Sequence, residues 1–101
     1  MLIGGSLEST TAEDIIGATK HNKIYNFCKN TTIKQSAYLI KYSKLLLTND
    51  TGIMHIASSF DLPIISFWGC TKPSLGFYAY KPHAKSINII SNISEKPCIK
   101  I

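Results

Sequence analysis

The sequence predicts an α/β fold, an open and mostly parallel sheet with helices on both faces. Three observations carry that expectation. Two apolar runs of strand length, Leu45 to Leu47 and Pro63 to Trp68, bracket a stretch in which Ile53, Ile56, Ala57 and Phe60 recur at helical spacing. Strand-like and helix-like segments alternate in the same way before it, the pattern of parallel strands joined by helices. Polar turns, Asp50-Thr51-Gly52 and Gly69-Cys70-Thr71-Lys72-Pro73, close both apolar runs at their carboxyl ends.

In chain order, Met1 to Ile3 reads as a strand entering Gly4-Gly5, which serves either as a tight turn or as bare backbone beside a ligand. A helix follows from Thr11 to about Lys20, with Thr11 and Asp14 as a capping-box variant and Ile15, Ile16 and Ala18 as its apolar face. Ile24 to Cys28 alternates like a short strand, and Lys29 to Thr32 is a polar turn. Thr32 is placed to cap a helix in which Ile33, Ser36, Ala37 and Ile40 share a face, ending near Ser43. Leu45 to Leu47 is expected as a buried strand, and Pro63 to Trp68 as a second. The aromatic loop from Ser74 to Pro82, with Phe77, Tyr78 and Tyr80, fits packing better than a ligand cover. Ser86 to Ile90 makes a last strand and Lys96-Pro97-Cys98 a tail turn. With right-handed crossovers these elements form one Rossmann-like lobe.

Composition excludes several classes. The 101 residues, 45% hydrophobic and 17% charged, suit one small globular domain with a thin core and not a disordered tail. No apolar run reaches the roughly 18 residues a bilayer span needs, and no secretory leader is visible. The net charge of +5 comes from lysines scattered along the chain, without a basic face for nucleic acid. Three cysteines, Cys28, Cys70 and Cys98, are an odd number without a CxxC pair, which points to reduced thiols in a cytosol and away from zinc or a disulfide frame.

The turn after Leu47 holds the chemistry. Asp50 is expected as N-cap, its carboxylate accepting a backbone N–H one turn in. Thr51 and Gly52 would then occupy a first helical turn whose N–H groups lack helical partners and carry positive dipole, a setting that attracts phosphate. Gly52 lets an anion approach the backbone. His55 follows Gly52 by three and Thr51 by four, on a face away from the apolar stripe. An ordinary capped helix with a surface histidine explains any one of these residues; their grouping, with a second polar turn ending the next strand, favours a ligand cleft.

At this point a resemblance emerges. DTGIMHIA followed by PIISFWGCTKP resembles the D-T-G-x-M-H-x-A and P-x-x-x-x-x-G-x-T-x-P patterns of glycosyltransferase family nine, the lipopolysaccharide heptosyltransferases. The likeness is to their carboxyl-terminal, sugar-nucleotide-binding lobe, and it extends to IGGSLE and KNTTIKQSAYLI, so residues 1–101 are read as that lobe. It implies transfer of a heptose-like sugar from a nucleoside diphosphate, expected to be ADP, to a lipopolysaccharide-core hydroxyl, with inversion and with neither metal nor cofactor. By the same resemblance Glu8, spaced from Gly4 as in the family's Gly-x-x-x-Glu, holds the nucleotide ribose. Asn30 and Thr31 lie where the family sets the base. There the resembled enzymes carry a glycine, lysine and small-residue turn, and this chain reads Cys28-Lys29-Asn30-Thr31-Thr32.

Thr51, Gly52 and His55 would stabilise the leaving diphosphate, with Thr71 adding a hydroxyl donor and Asp50 holding the turn and a sugar hydroxyl. The family's phosphate-contacting lysine, and the amino-terminal lobe with its acceptor site and aspartate base, have no counterpart here. The chain is therefore expected to be truncated at both ends, to bind nucleotide weakly and to transfer nothing alone. Its implied setting is cytoplasmic, with peripheral contact at the inner membrane.

Three other classes compete. A retroviral-type aspartic protease shares the DTG triplet, but its triplet opens into an all-β fold. A receiver-type signalling domain needs an acidic pair after its first strand for Mg²⁺, where this chain has Gly4-Gly5-Ser6. The third is a degenerate, non-catalytic nucleotide-binding lobe.

Overall fold

A computed structural model describes residues 1–69 and 71–92. The tail turn expected at Lys96-Pro97-Cys98 lies outside the described residues. The chain forms two compact units, residues 1–38 and 39–101.

In the first unit the two expected strands shrink to a single parallel bridge between Leu2 and Asn26. Leu2 N donates to the Tyr25 carbonyl, and Phe27 N to that of Leu2, both at 2.8 Å. The Asn26 side chain ends the pairing by accepting Cys28 N at 2.9 Å, a local turn that competes with extension of the strand. Helix α1 spans Ser9–Thr19, beginning ahead of the expected Thr11. Thr11 and Asp14 therefore lie inside the helix and form no capping box, and Glu8 holds the N-cap position without a side-chain cap.

Helix α2 spans Ile33–Lys41. Its cap is a reciprocal pair: Thr32 Oγ1 accepts Gln35 N at 3.3 Å, and Gln35 Oε1 accepts Thr32 N at 2.8 Å. Ser36 and Ile40 are buried, whereas Ile33, expected on the same stripe, is 77% exposed at the first position of the helix.

The second unit is a three-stranded, wholly parallel sheet in the order β1-β2-β3. Strand β1 is Leu46–Asn49, β2 is Ile64–Trp68 and β3 is Ile87–Ile90. Helix α3, Gly52–Ser58, joins β1 to β2, and the stretch 69–86, with a 3₁₀ turn at Pro73–Leu75, joins β2 to β3. The rows Leu46/Ile64, Thr48/Ser66/Asn88 and Trp68/Ile90 share one face of the pleat. Ile64, Ser66 and Trp68 are buried on it, as are Met54 and Ala57 of α3, which packs on β1 and β2. The opposite face carries Leu47, Phe67, Ile87 and Ile89, all exposed.

That pattern corrects the expectation of two continuously buried strands. Leu45 and Leu47 are exposed and β2 alternates between buried and more open residues, because the described covering elements lie against one face. Helix α3 departs from its expected stripe as well. It stops at Ser58, Asp61 turns the chain left-handed at φ 53°, and Phe60 falls beyond the helix, so Met54 and Ala57 make the buried contacts.

Beneath α3 a polar network crosses the sheet. Ser66 Oγ donates to Asn88 Oδ1 at 2.6 Å and accepts Trp68 Nε1 at 2.9 Å. Left-handed backbone also occurs at Lys20, Lys29 and Lys81, with φ of 50°, 68° and 45°. Among the described residues no helix is long and apolar enough to cross a membrane.

Candidate functional site

A shallow cleft of about 670 Å³ opens at the carboxyl ends of the three strands, lined by Asn49, Asp50, Trp68, Gly69, Thr71 and Ser91 among others. Parallel sheets bind ligands there because successive strands deliver their following loops to one edge. Asn49 and Phe67 are the last residues paired between β1 and β2, and Asp50 and Thr71 lie in the loops that follow these neighbouring strands. Thr71 Oγ1 donates to Asp50 Oδ2 at 3.0 Å, and both residues are half-buried.

This bond overturns the expected role of Asp50 at the helix terminus. Thr51 is the N-cap, with extended backbone at φ −144° and ψ 165°, and its carbonyl accepts Met54 N at 3.0 Å. Asp50 lies one residue outside the cap, and its carboxylate is engaged by Thr71 instead of by a helical N–H. Thr51 makes no side-chain cap either. Its hydroxyl pairs with Thr48 Oγ1 at 3.1 Å, while Thr48 gives its own proton to the Asn49 carbonyl at 3.0 Å.

Gly52 is the first residue of α3, and a Cβ built there meets no atom within 4 Å. Among the described residues nothing accepts the N–H of Gly52 or Ile53, as the open end of a helix requires. His55 is exposed one turn further on, its carbonyl accepting Ser58 Oγ at 2.9 Å. Asp50, Thr51 and Gly52 are thus consecutive at the sheet edge, with Thr71 bonded to the first of them.

Glu8 and Thr31 belong to the first unit. Glu8 is exposed and folds back on the glycine turn: a Cβ at Gly4 would stand 3.0 Å from Glu8 Cβ and 3.2 Å from Cys28 Sγ, so the turn is glycine for close packing within the chain. Thr31 Oγ1 donates to the Phe27 carbonyl at 3.3 Å and pairs with Ser36 Oγ at 2.9 Å. Its hydroxyl fixes the turn before α2. Phe67, Ile89 and Ser91 also line the cleft, and sequence pattern does not single them out. Their signal is a place at or just past the ends of β2 and β3, legible only once the strands are paired in register.

A parallel α/β unit whose strand-end loops converge on a cleft, here with Asp50 and Thr71 set among the apolar side chains of Phe67, Trp68 and Ile89, is Rossmann-like in architecture. A helix follows the DTG triplet directly, which removes the aspartic-protease reading. The family model of glycosyltransferase family 9 (heptosyltransferase) matches residues 1–101, and the chain belongs to that family. It is 30% identical over 105 residues to lipooligosaccharide heptosyltransferase 2 of Haemophilus ducreyi, covering 99% of this chain and 29% of the relative. It is also 30% identical over 77 residues to lipopolysaccharide heptosyltransferase 2 of Salmonella typhimurium, covering 72% of this chain and 22% of that protein. Lipooligosaccharide heptosyltransferase 2 of Campylobacter jejuni matches at 28% over 98 residues, 95% of this chain and 30% of the relative. The chain thus spans less than a third of the length of these relatives. No solved structure matches it significantly.

Proposed function

We propose that this chain is the donor-binding lobe of a heptosyltransferase, holding a nucleoside-diphosphate heptose, with ADP as the nucleotide, for transfer to a hydroxyl of the lipopolysaccharide core. Family membership supports the reaction class, and the observation that carries the site is the Asp50–Thr71 bond across the strand-end cleft, next to the open amides of Gly52 and Ile53. Those amides and His55 receive the diphosphate, whose negative charge grows as the sugar leaves; donors fixed beforehand stabilise that charge without reorganising. Asp50 takes a sugar hydroxyl, a carboxylate being an acceptor alone. In the first unit, taken by itself, Glu8 is the group suited to a ribose and the turn at Asn30 and Thr31 the one suited to a base. Thr71, expected as a further hydroxyl donor from the neighbouring strand's loop, gives its proton to Asp50. The acceptor site and the base that activates its hydroxyl belong to a second lobe, and the enzyme works at the cytoplasmic side of the inner membrane.

A thermal-shift panel of nucleoside diphosphates and their sugars, run on the wild type and on His55→Ala, tests this reading. ADP compounds should raise the melting temperature of the wild type and leave the variant unmoved. No response to any nucleotide would favour a degenerate lobe, and sugar transfer by the isolated chain would refute the assignment of acceptor and base elsewhere.

A further inference from the structure

We infer that Thr71 is a positioning residue for donor selectivity: its hydroxyl locks the Asp50 carboxylate so that the other carboxylate oxygen meets the sugar of the donor and not its phosphates. This rests on the proposed donor site and adds to it the group that sets which end of the ligand Asp50 accepts. A threonine hydroxyl has one proton, and here it goes to Asp50 Oδ2 at 3.0 Å. Among the described residues no donor reaches Oδ1. Asp50 lines the cleft together with Thr71 and is half-buried, so the position of this acceptor is set by the bond between two loops and not by free rotation of an exposed side chain.

The chemistry of a fixed carboxylate is one-sided. It accepts O–H and N–H donors and repels phosphate oxygens. A sugar ring offers hydroxyl protons, and a diphosphate at neutral pH offers none. A bare nucleoside diphosphate therefore gains nothing from Asp50, whereas a sugar nucleotide gains a charge-assisted hydrogen bond. Thr71 acts only through that difference. Without its hydroxyl the carboxylate rotates, and the sugar loses its fixed partner.

Calorimetric titration of the chain with ADP and with ADP-heptose reads the difference directly, using wild type, Thr71→Val, Thr71→Ser and Asp50→Asn. The wild type should bind ADP-heptose more tightly than ADP. Thr71→Val should keep the Kd for ADP within about two-fold and weaken ADP-heptose roughly ten-fold, the scale of one hydrogen bond to a charged group. Thr71→Ser should restore the preference, and Asp50→Asn should lose it. Equal weakening of both ligands in Thr71→Val, an unchanged preference, or failure of serine to rescue would each overturn the inference while leaving the donor site standing. Should Thr71→Val not fold, Thr71→Ala decides the same point: a preference retained there overturns the inference. If the wild type binds neither ligand, the donor-site reading itself fails and this inference falls with it.

Discussion

In the sequence Gly52 and Gly4 both look like places where backbone must stay bare, and at the scale of single atoms they part company. A methyl group on Gly52 would stand in open space, so nothing inside the chain requires glycine there. Gly52→Ala should leave the stability of the chain unchanged or raise it by up to ~1 kcal/mol through helix propensity. If the amide end of α3 receives a diphosphate, the same substitution should weaken ADP binding several-fold in calorimetry; undiminished affinity would count against that contact. Gly4 is the reverse case. Its absent side chain leaves room for Glu8 and Cys28, and Gly4→Ala should cost about 1–3 kcal/mol by overpacking, visible as a lower urea midpoint with no ligand present. The sequence displays both glycines equally. Only the neighbours a methyl would meet separate a packing role from a candidate binding role, and those neighbours come from Glu8 and Cys28 folding back on the turn.

Among the elements, legibility follows the strength of the local signal. Helix α2 begins where Thr32 and Gln35 satisfy each other's backbone, a rule written wholly within four residues. Strands β2 and β3 fall close to their expected bounds because β-branched runs end at polar turns. What local pattern does not convey is how each strand is covered. Leu47 and Leu46 look alike in sequence, yet they point to opposite faces and only one lies under α3. Nor does the chain text show that Asp50 bonds across to Thr71, since that depends on the register Asn49 to Phe67. Ser66 is the best test of element packing. It is 2% exposed in mid-strand and serves both Asn88 and the indole of Trp68. Ser66→Ala should destabilise the sheet by about 1 kcal/mol, since it removes the 2.6 Å donor to Asn88 Oδ1 and the nearer acceptor of the indole N–H, leaving those two paired only with each other at 3.2 Å. Urea unfolding followed by Trp68 fluorescence measures it, and an unchanged midpoint would show that the network contributes nothing.

For the molecule as a whole, the family assignment and a cleft between the two turns that end β1 and β2 are legible because those turns carry their motifs in contiguous residues, while the share of the cleft taken by Ile89 and Ser91 beside β3 is not, being set by strand pairing. The backbone also carries strain in the connections between its elements. Lys20, Lys29, Asp61 and Lys81 all sit in left-handed conformation, each in a connection, where a side chain crowds its own carbonyl. Glycine at each should relieve about 0.5–1 kcal/mol, and a variant carrying all four should melt several degrees higher than the parent. The chain could thus be toughened by editing its corners alone, before any question of sugar chemistry is put to it.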